Sequence, residues 1–162
     1  MEIIEHKIVV RDTSQENYLT GITALNIPTE ECTGDWHFSA CFVVRGDVKP
    51  PQQRAGIELL STSKWLRRKG IYDCYSVLVE HGLKEKVRHI YAADHYRAIA
   101  DMVYYKVKNG RSINRTISLN DWLPEPHEKE RLYQMIDLLK PALNNEEWGI
   151  IEKWKQLTAI PD

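Results

Sequence analysis

The chain has 162 residues, of which 43% are hydrophobic and 28% charged, and its formal net charge is −1. That length suits a single domain, residues 1–162, able to bury a core without metal or disulfide staples, and the composition excludes wholesale disorder. The longest apolar runs, such as Ala40 to Val44, are too short for a membrane span, and Met1 is followed by acidic rather than basic residues, so the expectation is a cytoplasmic protein with no membrane partner.

Residues 2–11, EIIEHKIVVR, are rich in β-branched side chains and read as a strand that ends at the turn-forming Asp12-Thr13-Ser14. Thr20 to Ile27 reads as a second strand, demoted to an edge by Pro28. From Trp36 to Val44 the residues Trp36, Phe38, Ala40 and Phe42 alternate with smaller or polar ones, the period of a central strand. Gly46, Pro50 and Pro51 make a loop, and residues 56–62 offer one more strand. Ser63 to Gly70, SKWLRRKG, is a helical turn or a basic loop; Ile71 to Glu80 fits a helix closed by Gly82.

The longest helix is expected over Val87–Gly110. Tyr91, His95, Ala98, Met102 and Tyr105 recur at steps of three and four and form its core stripe, with Arg97, Asp101, Lys106 and Lys108 nearer water. A short helix follows Ser118. Leu132, Met135, Ile136 and Leu139 mark an amphipathic helix starting at Glu125 or His127, and Asn144 with Glu147 caps a last one carrying Trp148, Ile151, Trp154 and Leu157. The last two helices are expected to form an antiparallel hairpin. A strand-rich part over 1–62 followed by a helical part over 63–162 argues for an α+β fold, a small and mostly antiparallel N-terminal sheet packed on C-terminal helices.

Charge is unevenly spread. Residues 45–115 hold 15 of the 22 lysines and arginines against 7 of the 23 acids, and the remainder of the chain holds the other 7 against 16. Such a balance suggests a surface for an acidic or phosphate-bearing partner, or two surfaces of one molecule that pair with their own copies in a homo-oligomer. Arg67, Arg68 and Lys69 beside Trp65, with Arg111 and Arg115 in the connector after the long helix, are the candidates for nucleic-acid or anion binding, because cations next to an aromatic serve phosphate contact and stacking.

Chemistry has thinner support. Asp35 and His37 would share one face of a strand, and Asp94 and His95 form a second carboxylate–imidazole couple, but adjacent helix positions diverge by about 100°. No zinc-protease spacing, phosphate-binding loop, nucleophile elbow or dinucleotide fingerprint accompanies them, so no metal or cofactor is implied. Structural roles compete: Asp94 near the start of the long helix, where negative charge offsets the dipole, His95 as a hydrogen-bonded core histidine, Arg97 with Asp101 as an i,i+4 pair. Cys32, Cys41 and Cys74 are odd in number and read as reduced, small hydrophobes.

The segments Leu25 to His37 (LNIPTEECTGDWH), Gly70 to Asp73, Tyr91 to Ala98 (YAADHYRA) and Asn120 to Leu123 resemble a group of small uncharacterised bacterial proteins, some encoded in mobile defence or toxin–antitoxin loci. The resemblance spans about two thirds of the chain and transfers no catalytic residue. It implies a cytosolic bacterial protein whose partner is another protein of the same locus. Three functions follow. The first is a non-enzymatic, antitoxin-like interaction module whose acidic C-terminal helices cover a basic partner with Trp148 or Trp154 as anchors. The second is nucleic-acid binding by the basic middle, and the third a small hydrolase or transferase centred on Asp35, His37 and His95.

Overall fold

The computed structural model describes residues 7–31, 37–114 and 117–159. Its class is α+β, with a two-stranded antiparallel sheet set among short and long helices. The spine is α5 (His95–Lys108), against which α1 (Gly21–Leu25), α7 (Pro126–Asp137) and α8 (Asn145–Thr158) pack. Ile99, Met102 and Val103 of α5 meet Leu25, Leu132, Ile136, Ile151 and Trp154 in the larger hydrophobic core.

Both ends of α5 are set by local chemistry. At its start the extended Asp94 accepts a hydrogen bond from the Arg97 N–H, which satisfies one of the helix's open donors. At its end Gly110, at φ +64°, lets its own N–H reach the Val107 carbonyl while the Arg111 N–H reaches Lys106, the paired bonds of a left-handed cap. The helix is therefore shorter than the expected 87–110. Tyr91–Ala93 instead form β2, paired with β1 (Ile71–Asp73) in the register Ile71↔Ala93, Tyr72↔Ala92, Asp73↔Tyr91. On the other side of β2 Leu19 donates to the Tyr91 carbonyl and accepts from the Ala93 N–H. β1 occupies the first residues of the expected 71–80 helix, and α4 (Tyr75–Glu80) the rest.

Three expected strands are replaced. Thr20 pairs with Gln53 and the chain then turns at Gly21 into α1, because burial of Thr23, Ala24 and Leu25 outweighs the β preference of Ile22 and Thr23. In the segment after Trp36 the chain forms α2 (Phe38–Phe42); Phe38 and Phe42 fit an alternating strand and equally a helical i,i+4 pair, and their rings stack at 4.7 Å. Residues 56–62 make a turn, with the Gly56 N–H bonded to the Leu59 carbonyl. Of the first expected strand, Ile8 makes one bridge to Val43. Residues 2–6, Cys32 and Trp36 lie outside the described residues.

A smaller core gathers Leu19, Ile27, Phe42, Leu78 and Ile90 around the buried free thiols of Cys41 and Cys74. The helices at the C-terminal end follow their sequence signals. Glu125 and Glu128 form a capping box ahead of α7, and in α8 the Asn144 side chain accepts from the Glu147 N–H while Glu147 accepts from the Asn144 N–H. Side chains join these two helices: Tyr133 meets Trp154 edge-on at 6.1 Å and bonds Thr158, and Lys155 pairs with Asp137. Before α7 a short helix, α6 (Leu119–Trp122), carries Asn120, which accepts from the buried Lys129.

Candidate recognition site around Gly70

Arg97 and Asp101 are one turn apart on α5, and both side chains are fully buried. This corrects the expectation that they face water. Arg97 Nε donates to Asp101 Oδ1 at 3.3 Å and to the Tyr18 hydroxyl at 3.1 Å. Asp101 accepts from the hydroxyls of Tyr18, Thr20 and Thr62 at 2.7, 2.7 and 2.6 Å. Burial pushes the Asp101 carboxyl above its usual range, and the guanidinium and the three hydroxyls oppose that shift. A charge pair so deep is tolerated because nearly every donor and acceptor has a partner.

The same guanidinium holds a turn. After α3 (Ser63–Leu66), Arg97 Nη1 donates to the carbonyls of Arg67 at 3.0 Å and Lys69 at 2.8 Å, while the Lys69 N–H closes back on the Leu66 carbonyl. Arg67 sits at φ 54°, ψ −129°, the first central position of a type II′ turn, which glycine normally fills. Arg67, Arg68 and Lys69 are exposed, and among the described residues none of them forms an ion pair. The strain lies in the Arg67 backbone, while its side chain is left exposed. Arg67→Gly is expected to raise stability by about 1 kcal/mol, since the strain relieved exceeds the chain entropy that glycine adds. A melting temperature unchanged or lowered would remove the strain argument.

The other basic candidates fall elsewhere. Trp65 is half-buried with its ring 5.8 Å from Tyr104, and Lys64 lies 5.5 Å over its face, so it anchors the turn to α5. Arg111 is exposed beyond the far end of α5, about 20 Å along the axis from the turn. Arg115 lies outside the described residues. The described basic candidates thus fall into one compact turn, Arg67 to Lys69, and the distant Arg111.

Beyond Gly70 the surface changes sign. A cleft of about 620 Å³ runs from Gly70 past the start of α5 to Arg131 of α7, and Glu30, Glu31, Asp73, Glu80 and Asp94 line it. Arg131 lies 4.3 Å over the Tyr96 ring and pairs with Glu31 at 2.7 Å; Asp73 pairs with His89 at 2.8 Å. Asp94 donates its N–H to the Gly70 carbonyl at 2.6 Å, and burial raises its carboxyl above the ordinary range. His95 is 1% exposed and its Nε2 is 2.9 Å from the Ile27 carbonyl. A carbonyl needs a donor, so Nε2 carries the proton and Nδ1 is left with a lone pair; burial lowers the affinity of the ring for a second proton.

Of the acid–base candidates, Asp94 and His95 both line this cleft. His37 does not: it is exposed at the start of α2, with its N–H on the Asn26 side chain. Asp35 lies outside the described residues. Among the described residues no three His, Cys, Asp or Glu side chains gather as a metal would require.

The two tryptophan anchors also divide. Trp154 is 2% exposed and belongs to the core, so it has no face to offer a partner, which corrects that expectation. Trp148 is half-buried beneath the ammonium groups of Lys140 and Lys155, at 5.4 and 5.0 Å. The acids of the C-terminal helices are in part paired locally: Glu147 with Lys108, and both Asp137 and Glu152 with Lys155. Comparison with known proteins returns no matching family model, no matching curated protein and no matching solved structure.

Proposed function

We propose that this protein is a non-enzymatic interaction module, antitoxin-like or defence-associated, that holds a protein partner through the surface around Gly70. One observation carries the reading: three exposed cations on an anchored turn adjoin an acid-lined cleft, with Gly70 as the boundary. A protein surface can present both signs in the matching arrangement, and complementarity of this kind gives specificity and fast association. A nucleic-acid backbone carries one sign, so the cleft's exposed carboxylates without a cationic partner among the described residues, Glu30 and Glu80, would repel the strand that the turn attracts. The contact moves from the C-terminal helices, whose acids are partly neutralised within the fold, to this junction.

The test pairs the chain with the products of its neighbouring genes, each purified and titrated by calorimetry. The triple variant Arg67→Glu, Arg68→Glu, Lys69→Glu is expected to keep its melting temperature and to lose about 100-fold in affinity for the partner, about 2.7 kcal/mol. The reading fails if the reversal leaves partner affinity intact. It fails equally if the wild type binds a duplex oligonucleotide with steep salt dependence that the triple variant abolishes.

A further inference from the structure

We infer that the outward face of α8 is an interface that pairs two copies of this chain, antiparallel, about a two-fold axis passing between Gly149 and Ile150. This face shares no residue with the Gly70 junction or its cleft, and the inference does not rest on the partner contact proposed there. Glu146, Gly149, Ile150, Lys153 and Leu157 recur at steps of three and four, within about 100° of arc, and all five are exposed. Ile150 is 44% and Leu157 53% exposed, although the opposite side of the same helix buries Ile151 and Trp154 in the core.

The order of charge on α8 names the occupant. Charges flanking the face are paired within the fold: Glu147 with Lys108 at 3.1 Å, and Lys155 with both Asp137 and Glu152. On the face itself Glu146 and Lys153 have no oppositely charged partner among the described residues. They stand at equal distances on either side of the point between Gly149 and Ile150. A second α8 running the other way about that point sets Glu146 opposite the copy's Lys153, and Lys153 opposite the copy's Glu146. A parallel copy would set like charge on like. The same operation lays each Ile150 over the other copy's Gly149. A Cβ on Gly149 would have no neighbour within 4 Å, so nothing inside the fold calls for glycine at this position, where it weakens the helix. The notch it leaves admits the copy's Ile150 and a close approach of the two helices. Leu157 extends the apolar edge towards the start of the copy's α8. Two turns of helix from each copy bury less than a standard interface of about 1,200 Å² or more, so the pairing is weak, with an expected dissociation constant of about 10–500 µM.

Sedimentation velocity of the full chain between about 10 µM and 1 mM, at about 50 mM salt to limit screening, is expected to show a reversible monomer–dimer equilibrium. Amide shifts that depend on concentration are expected to centre on α8. Glu146→Lys and Lys153→Glu, each alone, are expected to weaken self-association about tenfold or more, because each sets like charges across the axis. An equimolar mixture of the two variants is expected to restore it, as is one chain carrying both substitutions. Gly149→Gln, a better helix former, is expected to hold or raise the melting temperature while weakening the dimer about tenfold, with circular dichroism confirming the fold of every variant. The inference is overturned by a chain that stays monomeric at about 1 mM, by a dimer that neither charge reversal weakens, or by reversal variants that stay apart when mixed. Shifts on this face that require a different protein, and do not follow the concentration of the chain itself, would overturn it as well.

Discussion

Arg97→Met is expected to destabilise the protein by about 3–5 kcal/mol, a fall in melting temperature of roughly 6–20 °C for a domain of this size. The methionine fills much of the space, so the loss comes from the groups left behind. Asp101, fully buried and without its countercharge, would have to remain ionised at high cost or take up a proton, and the carbonyls of Arg67 and Lys69 would lose their donor. Adding Asp101→Leu removes the stranded charge and should recover only part of the loss, because the hydroxyls of Tyr18, Thr20 and Thr62 would then have no acceptor. Differential scanning calorimetry on the three chains decides the matter. A loss below about 1 kcal/mol for Arg97→Met would place the guanidinium in water.

The second large effect is expected at Gly70. This residue has φ +76°, and a Cβ there would stand 2.6 Å from Asp94 Oδ1 and 2.8 Å from the Arg97 Cβ. Neither neighbour can easily yield. Asp94 caps α5 through the Arg97 N–H and gives its own N–H to the Gly70 carbonyl, while Arg97 is fixed by its buried contacts. Gly70→Ala thus combines an unfavourable backbone conformation, a disturbed cap and an overpacked contact, together about 2–4 kcal/mol. Urea denaturation should show a lowered midpoint with an unchanged slope. A midpoint equal to that of the wild type would mean that the junction between the turn and the cleft is loose.

Much of the helical half was legible because its signals are local. Asn144 and Glu147, three apart, are a capping pair whatever surrounds them, and the stripe Leu132, Met135, Ile136 and Leu139 has one helical interpretation. His95 as a core histidine and Arg97 with Asp101 as an i,i+4 pair were readable from spacing, whereas Asp94, expected inside a helix begun at Val87, is the residue that starts it. The depth of that pair was not, since a charge four residues from its opposite looks the same on a wet face as on a dry one. The hydroxyls that make the dry site tolerable come from residues 18, 20 and 62, dozens of positions away.

The first half misled for a related reason. β1 and β2 are three residues each, too short for alternation to register, and Phe38 with Phe42 fits either period. The cleft joins residues near 30, 72, 80, 95 and 131, a grouping that no linear pattern displays. Only Gly70 left a trace, as a glycine directly after three cations and just before Ile71, and that trace marks a boundary without naming the chemistry on either side.

The central physical claim is that a dry guanidinium nails the basic turn to α5. Hydrogen exchange at the Arg97 Nε–H, followed by ¹⁵N NMR at neutral pH, tests it directly. The fully buried side chain, with Nε bonded to Tyr18 and Asp101, predicts exchange slowed to the rate of global opening, in step with the core amides of α5. Exchange as fast as that of the exposed Arg68 side chain would contradict it.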